Sequence, residues 1–474
     1  MGKETAMLML LGAVVSGIMA VAPPEPYGPV PTPEQLAWQR MEYGMFCHFG
    51  INTFHNQEWT DGAKAPATFL PTDFNGRQWV EAAKAAGMKY LVVTAKHHDG
   101  FAVYPTAHGD YNVKASPWRG GRGDVVREVA DACHDLGMMF GVYLSPWDRH
   151  DPLYNDPPAY DERFKAMLVE LLEHYGPVGE VWFDGAGSEG HVYDWEGYYA
   201  VIREYAPQAL IAICGPDIRW VGNEDGLAPD TLWNVHEITL PIPGEEGGGA
   251  RRWWPSECDV PIRKGQWFFH TRGERNLRSL EELLEIYYRS VGLGAALLLN
   301  VSPDRRGLLP EADTARLLEL WSVISETFDK NLAKAATAQA SHVRGNARDY
   351  APANLLDGNT ETYWAPDDNA RWAWVELDFG GEIVFDRFMA QEHIPLGQRV
   401  AAHEIHVFKD GAWRIVAKGT TIGYKRIHRL PAIKASKIRL FLTETKAAPV
   451  IESVGVYKAS PRDLAVDMVL VQEP

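Results

Sequence analysis

Between Gly44 and Phe328 the chain repeats one unit: a short apolar strand, a polar loop, a helix closed by glycine or proline, and another strand. The strands read as Gly44–Gly50, Tyr90–Thr94, Met139–Leu144, the run ending in Val181-Trp182-Phe183, Leu210–Cys214 and Ala295–Asn300. The helices read as Gln78–Ala86, Val125–Leu136, Phe164–Tyr175, Trp195–Tyr205 and Glu311–Phe328, with a shorter one, Leu36–Met41, ahead of the first strand. Strands that return through a helix about every forty residues lie parallel, and eight such units close into a barrel. The expected fold is therefore α/β, a (β/α)8-like barrel. It has an irregular sector: from Leu232 to His270 the helical spacing is lost, so an incomplete or distorted barrel is allowed.

Helical periodicity stops near Lys334. Short alternating runs follow (Trp374–Phe379, Glu404–Phe408, Trp413–Ala417, Lys437–Leu442, Ile451–Tyr457), punctuated by Gly, Asp and Asn. About eight short strands of this kind describe a β-sandwich. The expected division is 1–22 as a signal peptide, 23–333 as the barrel, 334–459 as the sandwich and 460–474 as a tail without assigned structure.

The signal peptide rests on residues 6–22, which are apolar and free of charge behind Lys3 and Glu4. That length suits an export signal better than a bilayer span, so the expected location is secreted or periplasmic. No later run is long and apolar enough to cross a membrane. The net charge of −17 argues against nucleic acid or an anionic membrane as partner and is compatible with a neutral substrate. Cys47, Cys133, Cys214 and Cys258 form no C-x-x-C pair, so neither a zinc knuckle nor a disulfide framework is expected. Oligomeric state is not legible.

Polar groups gather where the apolar strands end. His48 ends the first, His97 and His98 follow the second, Tyr143 lies in the third and Asp184 closes Glu180-Val-Trp-Phe-Asp-Gly185. In a parallel barrel these ends share one mouth. A carboxylate there, with Trp182 two residues back on the same face, suits attack on an anomeric carbon; the alternative is that Asp184 caps the next helix. Three histidines raise a metal site, but adjacent His97 and His98 would diverge if the strand continued, so no metal is assigned. Neutral imidazoles, each one donor and one acceptor, match vicinal sugar hydroxyls instead. A retaining glycosidase also needs a second carboxyl roughly 5–5.5 Å from the nucleophile. Glu58, Asp148, Glu224, Glu237 and Glu257 are all candidates, and chemistry alone does not choose; Glu224 stands near Trp220, which would lower the local polarity.

Met45-Phe-Cys-His-Phe-Gly50, Lys96-His-His-Asp-Gly-Phe101, Gly141-Val-Tyr143, Trp182-Phe-Asp-Gly185 and Leu298-Leu-Asn-Val-Ser-Pro-Asp304, in this order, resemble glycoside hydrolase family 29, the α-L-fucosidases. The resemblance implies a retaining exo-mechanism with Asp184 as nucleophile. It also implies a fucose pocket lined by His48, Glu58, Trp59, His97, His98, Tyr143 and Trp182. The run Arg219-Trp-Val-Gly-Asn-Glu224 resembles the subgroup that cleaves α-1,3/1,4 linkages in branched, Lewis-type glycans, which selects Glu224 as acid/base. Trp267 and Asp148 would then contact the neighbouring galactose. Asn354-Leu-Leu-Asp-Gly-Asn359 and Trp374–Phe379 resemble a discoidin-like (coagulation-factor type C) jelly-roll module. Such modules often bind sugars, and some hold a structural calcium near the Asp-Gly turn, where Asp357 stands; a plain turn is the other reading, and no further cofactor is implied. Two rival functions remain: a glycan-binding protein without turnover, and a metal-dependent barrel hydrolase.

Overall fold

The computed structural model describes residues 21–188, 190–238 and 250–470; the expected signal peptide, apart from its last two residues, lies outside the described residues. Eight parallel strands form the first sheet: β1 (Tyr43–Cys47), β2 (Tyr90–Lys96), β3 (Met139–Leu144), β4 (Glu180–Phe183), β5 (Leu210–Ile213), β6 (Arg219–Trp220), β7 (Ser256–Pro261) and β8 (Ala296–Asn300). Their order, β5-β4-β3-β2-β1-β8-β7-β6, makes a nearly closed barrel. Helices α1 (Pro33–Gln39), α2 (Gly76–Ala85), α3 (Val125–Leu136), α4 (Pro157–His174), α5 (Trp195–Tyr205), α6 (Leu280–Arg289) and α7 (Glu311–Phe328) accompany it.

The strand residues sort by parity into two cores. Leu91, Val93, Val142 and Val181 face the helices, whereas Phe46, Val92, Tyr143, Trp182 and Leu298 fill the barrel interior. Both faces of each strand are thus covered, which is why the sequence shows continuous apolar runs. Helix boundaries follow local chemistry. Asp124 caps α3 by accepting from the Arg127 N–H, and Gly137 ends it in the left-handed region. Helix α4 begins seven residues before the sequence reading, because Pro157 and Pro158 occupy a first turn that needs no N–H donors.

The distortion that the sequence allowed is present, and it begins ahead of Leu232. Arg219-Trp220, outside every strand read from the sequence, is the sixth strand and pairs with β7. Among the described residues no helix lies between β5 and β7. A five-residue link (214–218) is too short for a helical crossover. The chain reverses instead at Ile213, a β-branched residue held at φ 69°, and β5 meets the next segment by one parallel bridge, Ala212 to Ile218. An antiparallel hairpin, Val235–Ile238 with Ala250–Trp253, takes the place of the next helix.

The second domain has six strands among the described residues rather than about eight: β9 (Thr337–Ala340), β10 (Ala373–Glu392), β11 (Val400–Lys409), β12 (Ala412–Gly419), β13 (Arg426–Thr445) and β14 (Ile451–Tyr457). β10 and β13 are 20 residues each, and Gly380-Gly381, which reads as a strand end, sits in a register shift inside β10. The unassigned tail contains a helix, α8 (Pro461–Leu470). It is pinned by buried Asp463, which accepts from Tyr288 Oη (2.5 Å) and Thr327 Oγ1 (3.1 Å) and lies 3.1 Å from Arg387 Nη2.

The sandwich also grips the barrel just after β6. Leu232 N–H donates to Thr421 Oγ1 (3.0 Å), Gln398 Nε2 donates to Leu232 O (2.8 Å), Asn234 N–H donates to Gln398 Oε1 (2.9 Å) and Arg426 donates to Asp230 O (2.6 Å). At the Asp-Gly turn, Asp357 spends one oxygen on Asn359 N–H and the other on Thr362 Oγ1, both at 2.7 Å. A plain Asp-Gly turn makes bonds of this kind.

Candidate active site

Asp184 is the first residue past β4. Its Oδ1 accepts from Ala186 N–H (2.9 Å), and its Oδ2 accepts from Tyr143 Oη (3.1 Å) and lies 3.4 Å from His98 Nε2. Burial pushes this carboxyl up, but the bond and charge of His98, with Ala186 and Tyr143, outweigh it and hold the group below the usual range. The helix-capping alternative is met by another residue: Asp194 caps α5.

The histidines converge on Asp184. His48 follows β1 and donates from Nδ1 to Asn300 Oδ1 (2.9 Å), since the Asn300 amide nitrogen is committed to Trp267 O. That leaves Nε2 as an acceptor, and burial lowers the ring to about 4. His98 donates from Nδ1 to Ser145 Oγ (2.7 Å), because Ser145 spends its own hydrogen on Trp147 O. His97 is held neutral by burial, and its Nδ1 has no partner. The expected divergence of His97 and His98 is corrected. β2 ends at Lys96, strand alternation no longer applies, and the two rings lie 4.1 Å apart. Ligand atoms of His97, His98 and Asp184 fall within 4.8 Å of one another, a spacing that suits either vicinal hydroxyls or a cation.

Opposite stands a second acidic group. Glu58 Oε2 accepts from the backbone N–H of Trp267 (2.8 Å) and Phe268 (3.2 Å). His270 Nε2 lies 2.8 Å from its Oε1, off the line of a hydrogen bond. Burial, opposed by the two N–H groups and aided by the charge of Glu224, pushes Glu58 up to about 7. Glu224 lies four residues past β6 and accepts from Trp267 Nε1 (3.2 Å). Trp220, expected to shield Glu224, donates its own Nε1–H to Asp259 Oδ1 (2.6 Å).

One cavity of about 1050 Å³ brings these groups together. Asp184, Glu224, His48, Glu58, Trp59, His97, His98, Trp182 and Trp267 all line it. Two expectations are corrected, and two of the candidate acids are set aside. Tyr143 does not reach the cavity; it is fully buried behind His97, against which it stacks at 5.4 Å, and serves Asp184 through its hydroxyl. Asp148, the expected galactose contact, is buried in an ion pair with Lys96 (2.9 Å). Glu257 is sealed inside the barrel, and Glu237 stands on the exposed side of the hairpin. The sequence reading missed Asn300, which the strand-end rule applied to β8 would have found. It also missed Arg219, His236, Trp254 and Asp259 on the cavity's outer wall, because they belong to the sector whose strands it could not place.

A parallel barrel with an ionised aspartate, a glutamate and exposed indole faces in one deep mouth defines a glycoside hydrolase. The family model described as Alpha-L-fucosidase matches residues 30–324, and that of the F5/8 type C domain matches residues 335–453. Alpha-L-fucosidase 1 of Arabidopsis thaliana is 39% identical over 450 residues, 92% of this chain and 88% of the relative. A Ruminococcus gnavus GH29 fucosidase solved in complex with fucose superposes with a TM-score of 0.86 at 34% identity, covering 94% of this chain and 98% of that one. A glycoside hydrolase 29 family member from an unknown rumen bacterium gives a TM-score of 0.79 at 37% identity, over 92% and 78%. The chain belongs to the alpha-L-fucosidase family, glycoside hydrolase family 29, with a C-terminal F5/8 type C (discoidin-like) domain.

Proposed function

We propose that the chain is a retaining exo-α-L-fucosidase that releases α-1,3- or α-1,4-linked fucose from branched, Lewis-type glycans, and that it is secreted or periplasmic and needs no metal. The observation that carries the reading is that Asp184 and Glu224, from neighbouring parts of the barrel rim, open into one cavity. Asp184 Oδ attacks the anomeric carbon while Glu224 protonates the departing glycosidic oxygen, so the C–O bond to the leaving sugar breaks as an ester to Asp184 forms. Glu224 then takes a proton from water, whose oxygen attacks the same carbon and frees Asp184. His48, His97 and His98 hold the sugar hydroxyls, and Trp182 and Trp267 supply apolar faces. A branched substrate agrees with the cavity's size, at the top of the roughly 300–1,000 Å³ range of small-molecule sites. It agrees too with an outer wall of Trp220, His236, Trp254 and Arg219, whose Nε has no partner.

Glu58 competes for the acid role, because a carboxyl poised near neutrality suits proton donation. Azide separates the two. Glu224→Ala is expected to lose hydrolysis and regain turnover with azide, yielding fucosyl azide, whereas Glu58→Ala is not rescued; the reverse pattern moves the role to Glu58. Asp184→Asn is expected to abolish turnover, and near-normal fucose release by that variant removes the nucleophile. Equal rates on α-1,2, α-1,3, α-1,4 and α-1,6 fucosides would sink the linkage assignment. Loss of activity on exhaustive chelation, restored by a divalent cation, would favour the metal-dependent rival at His97, His98 and Asp184. N-terminal sequencing of the mature protein from culture medium or periplasm checks export.

A further inference from the structure

Directly beneath the cavity, inside the barrel, lie two carboxylates with no cation beside them. Glu180 opens β4 and Glu257 is the second residue of β7; both are fully buried, and neither has an ion-pair partner among the described residues. Among the described residues their only side-chain donors are aromatic. Glu257 Oε2 accepts from Trp182 Nε1 (2.9 Å) and its Oε1 from Tyr90 Oη (2.9 Å). Glu180 Oε2 accepts from Trp38 Nε1 (3.0 Å), and its Oε1 has no partner. Burial raises both carboxyls, and the charge of Glu257 raises Glu180 further. Buried acids without ion pairs cost stability compared with apolar side chains of the same size. Their presence calls for a benefit elsewhere.

That benefit lies one contact away. Trp182 is on the cavity wall, stacks on Tyr143 (centroids 5.4 Å, planes 26° apart) and abuts Phe46 (5.1 Å). Tyr143 in turn donates its hydroxyl to Asp184. The one polar atom of Trp182 points away from the cavity, so the bond to Glu257 decides how the indole is rotated about its side-chain torsions. Tyr90, the other donor, is placed independently. Its ring lies over Gly44, where a Cβ would come within 2.4 Å of the ring.

We propose that Glu257 is a positioning residue for the fucosidase reaction: by anchoring Trp182 from below it sets the indole wall of the fucose pocket and the Tyr143 hydroxyl on Asp184. The proposal rests on Asp184 being the nucleophile. A misplacement of about 1 Å far from the chemistry can cost about 100-fold in rate. Steady-state kinetics on an aryl α-L-fucoside test it, with Glu257→Met, Tyr90→Phe, Trp182→Phe and the double variant Glu257→Met/Trp182→Phe. Glu257→Met, which offers Trp182 no acceptor, is expected to lower kcat about 10-fold or more with a smaller change in KM. Glu257→Gln, whose amide oxygen can still accept from the indole, is expected to lose less than Glu257→Met. Tyr90→Phe, which removes the other hydrogen bond donated to this carboxylate, is expected to lower Tm but keep kcat within about twofold, since it leaves the Trp182 bond intact. The double variant should be no slower than Trp182→Phe alone, because Glu257 acts only through that ring. The proposal is overturned if Glu257→Met keeps wild-type kcat, or if its loss multiplies that of Trp182→Phe. Should Glu257→Met not fold, Glu257→Asp, which keeps a carboxyl but withdraws it from the indole, must show the same fall in kcat. Full activity in Asp184→Asn would instead remove the nucleophile reading, whatever the cycle gives.

Discussion

Asp184 is ionised by its company rather than by water. Its neighbours depend on a layer below, where Lys96 and Asp148 pair at 2.9 Å with almost no exposure and Lys96 also donates to Tyr160 Oη (3.3 Å). Asp148 Oδ1 meanwhile accepts from the backbone of His150 and Asp151, which ties the next loop to the same point. Lys96→Met strands Asp148 as a buried anion and is expected to cost about 3–5 kcal/mol in a urea melt, with reduced kcat because His97 and His98 follow Lys96 directly. An unchanged midpoint would mean the pair is dispensable. This layer was not legible in the sequence. Strand-end logic reached His48, His97, His98 and Asp184 because a residue's place at the end of an apolar run depends on local pattern alone. Which polar residue faces the cavity and which lies behind it depends on where each run stops. That is why Tyr143 and Asp148 were read as touching sugar and Asn300 was overlooked.

Elements with strong local signals were legible almost to the residue: α3, α5, α7 and β3 fall where periodicity and capping put them. Elements made by pairing were not. β6 is two residues long and exists because β7 accepts it, and β10 and β13 run through stretches whose glycine or proline looks like a stop. Helix α8 belongs to the same class, since its sequence gives no reason to dock until Asp463 meets Tyr288, Thr327 and Arg387. Asp463→Ala is expected to destabilise by about 3 kcal/mol, because it removes a buried anion bonded to both domains. Cleavage between Ser460 and Pro461 should lower Tm similarly while leaving KM for an aryl fucoside unchanged. A fall in Tm of less than a degree would show that the helix is ornamental.

Across the whole molecule, buried titratable groups set how stability answers pH. Burial raises Glu58 and Glu392 from 4.5 to about 7, and it raises Glu180 and Asp259 as well. Unfolded, Glu58 and Glu392 ionise near 4.5; folded, they keep protons to about 7, so stability falls as pH climbs through that window. His48 and His403, lowered by burial from 6.5 to about 4, act oppositely, since below 6.5 the unfolded chain holds the extra protons. The two sets offset each other between about pH 4.5 and 6.5, and above that only the carboxyls remain. Calorimetry should therefore show Tm declining from pH 6.5 to 7.5, and a rise over that interval would contradict the burial pattern.

Gln398, Thr421 and Arg426 hold residues 230–234, the same stretch that leads from Glu224 to the hairpin. Among the described residues no helix backs this sector, and the sandwich holds it instead. It follows that the two halves of the chain are not interchangeable cassettes. A graft bearing some other β-module would keep the cavity around Asp184 but lose the bonds that hold the rim beyond it, and the enzyme's preference among aglycones would be expected to drift though no residue lining the cavity had been altered.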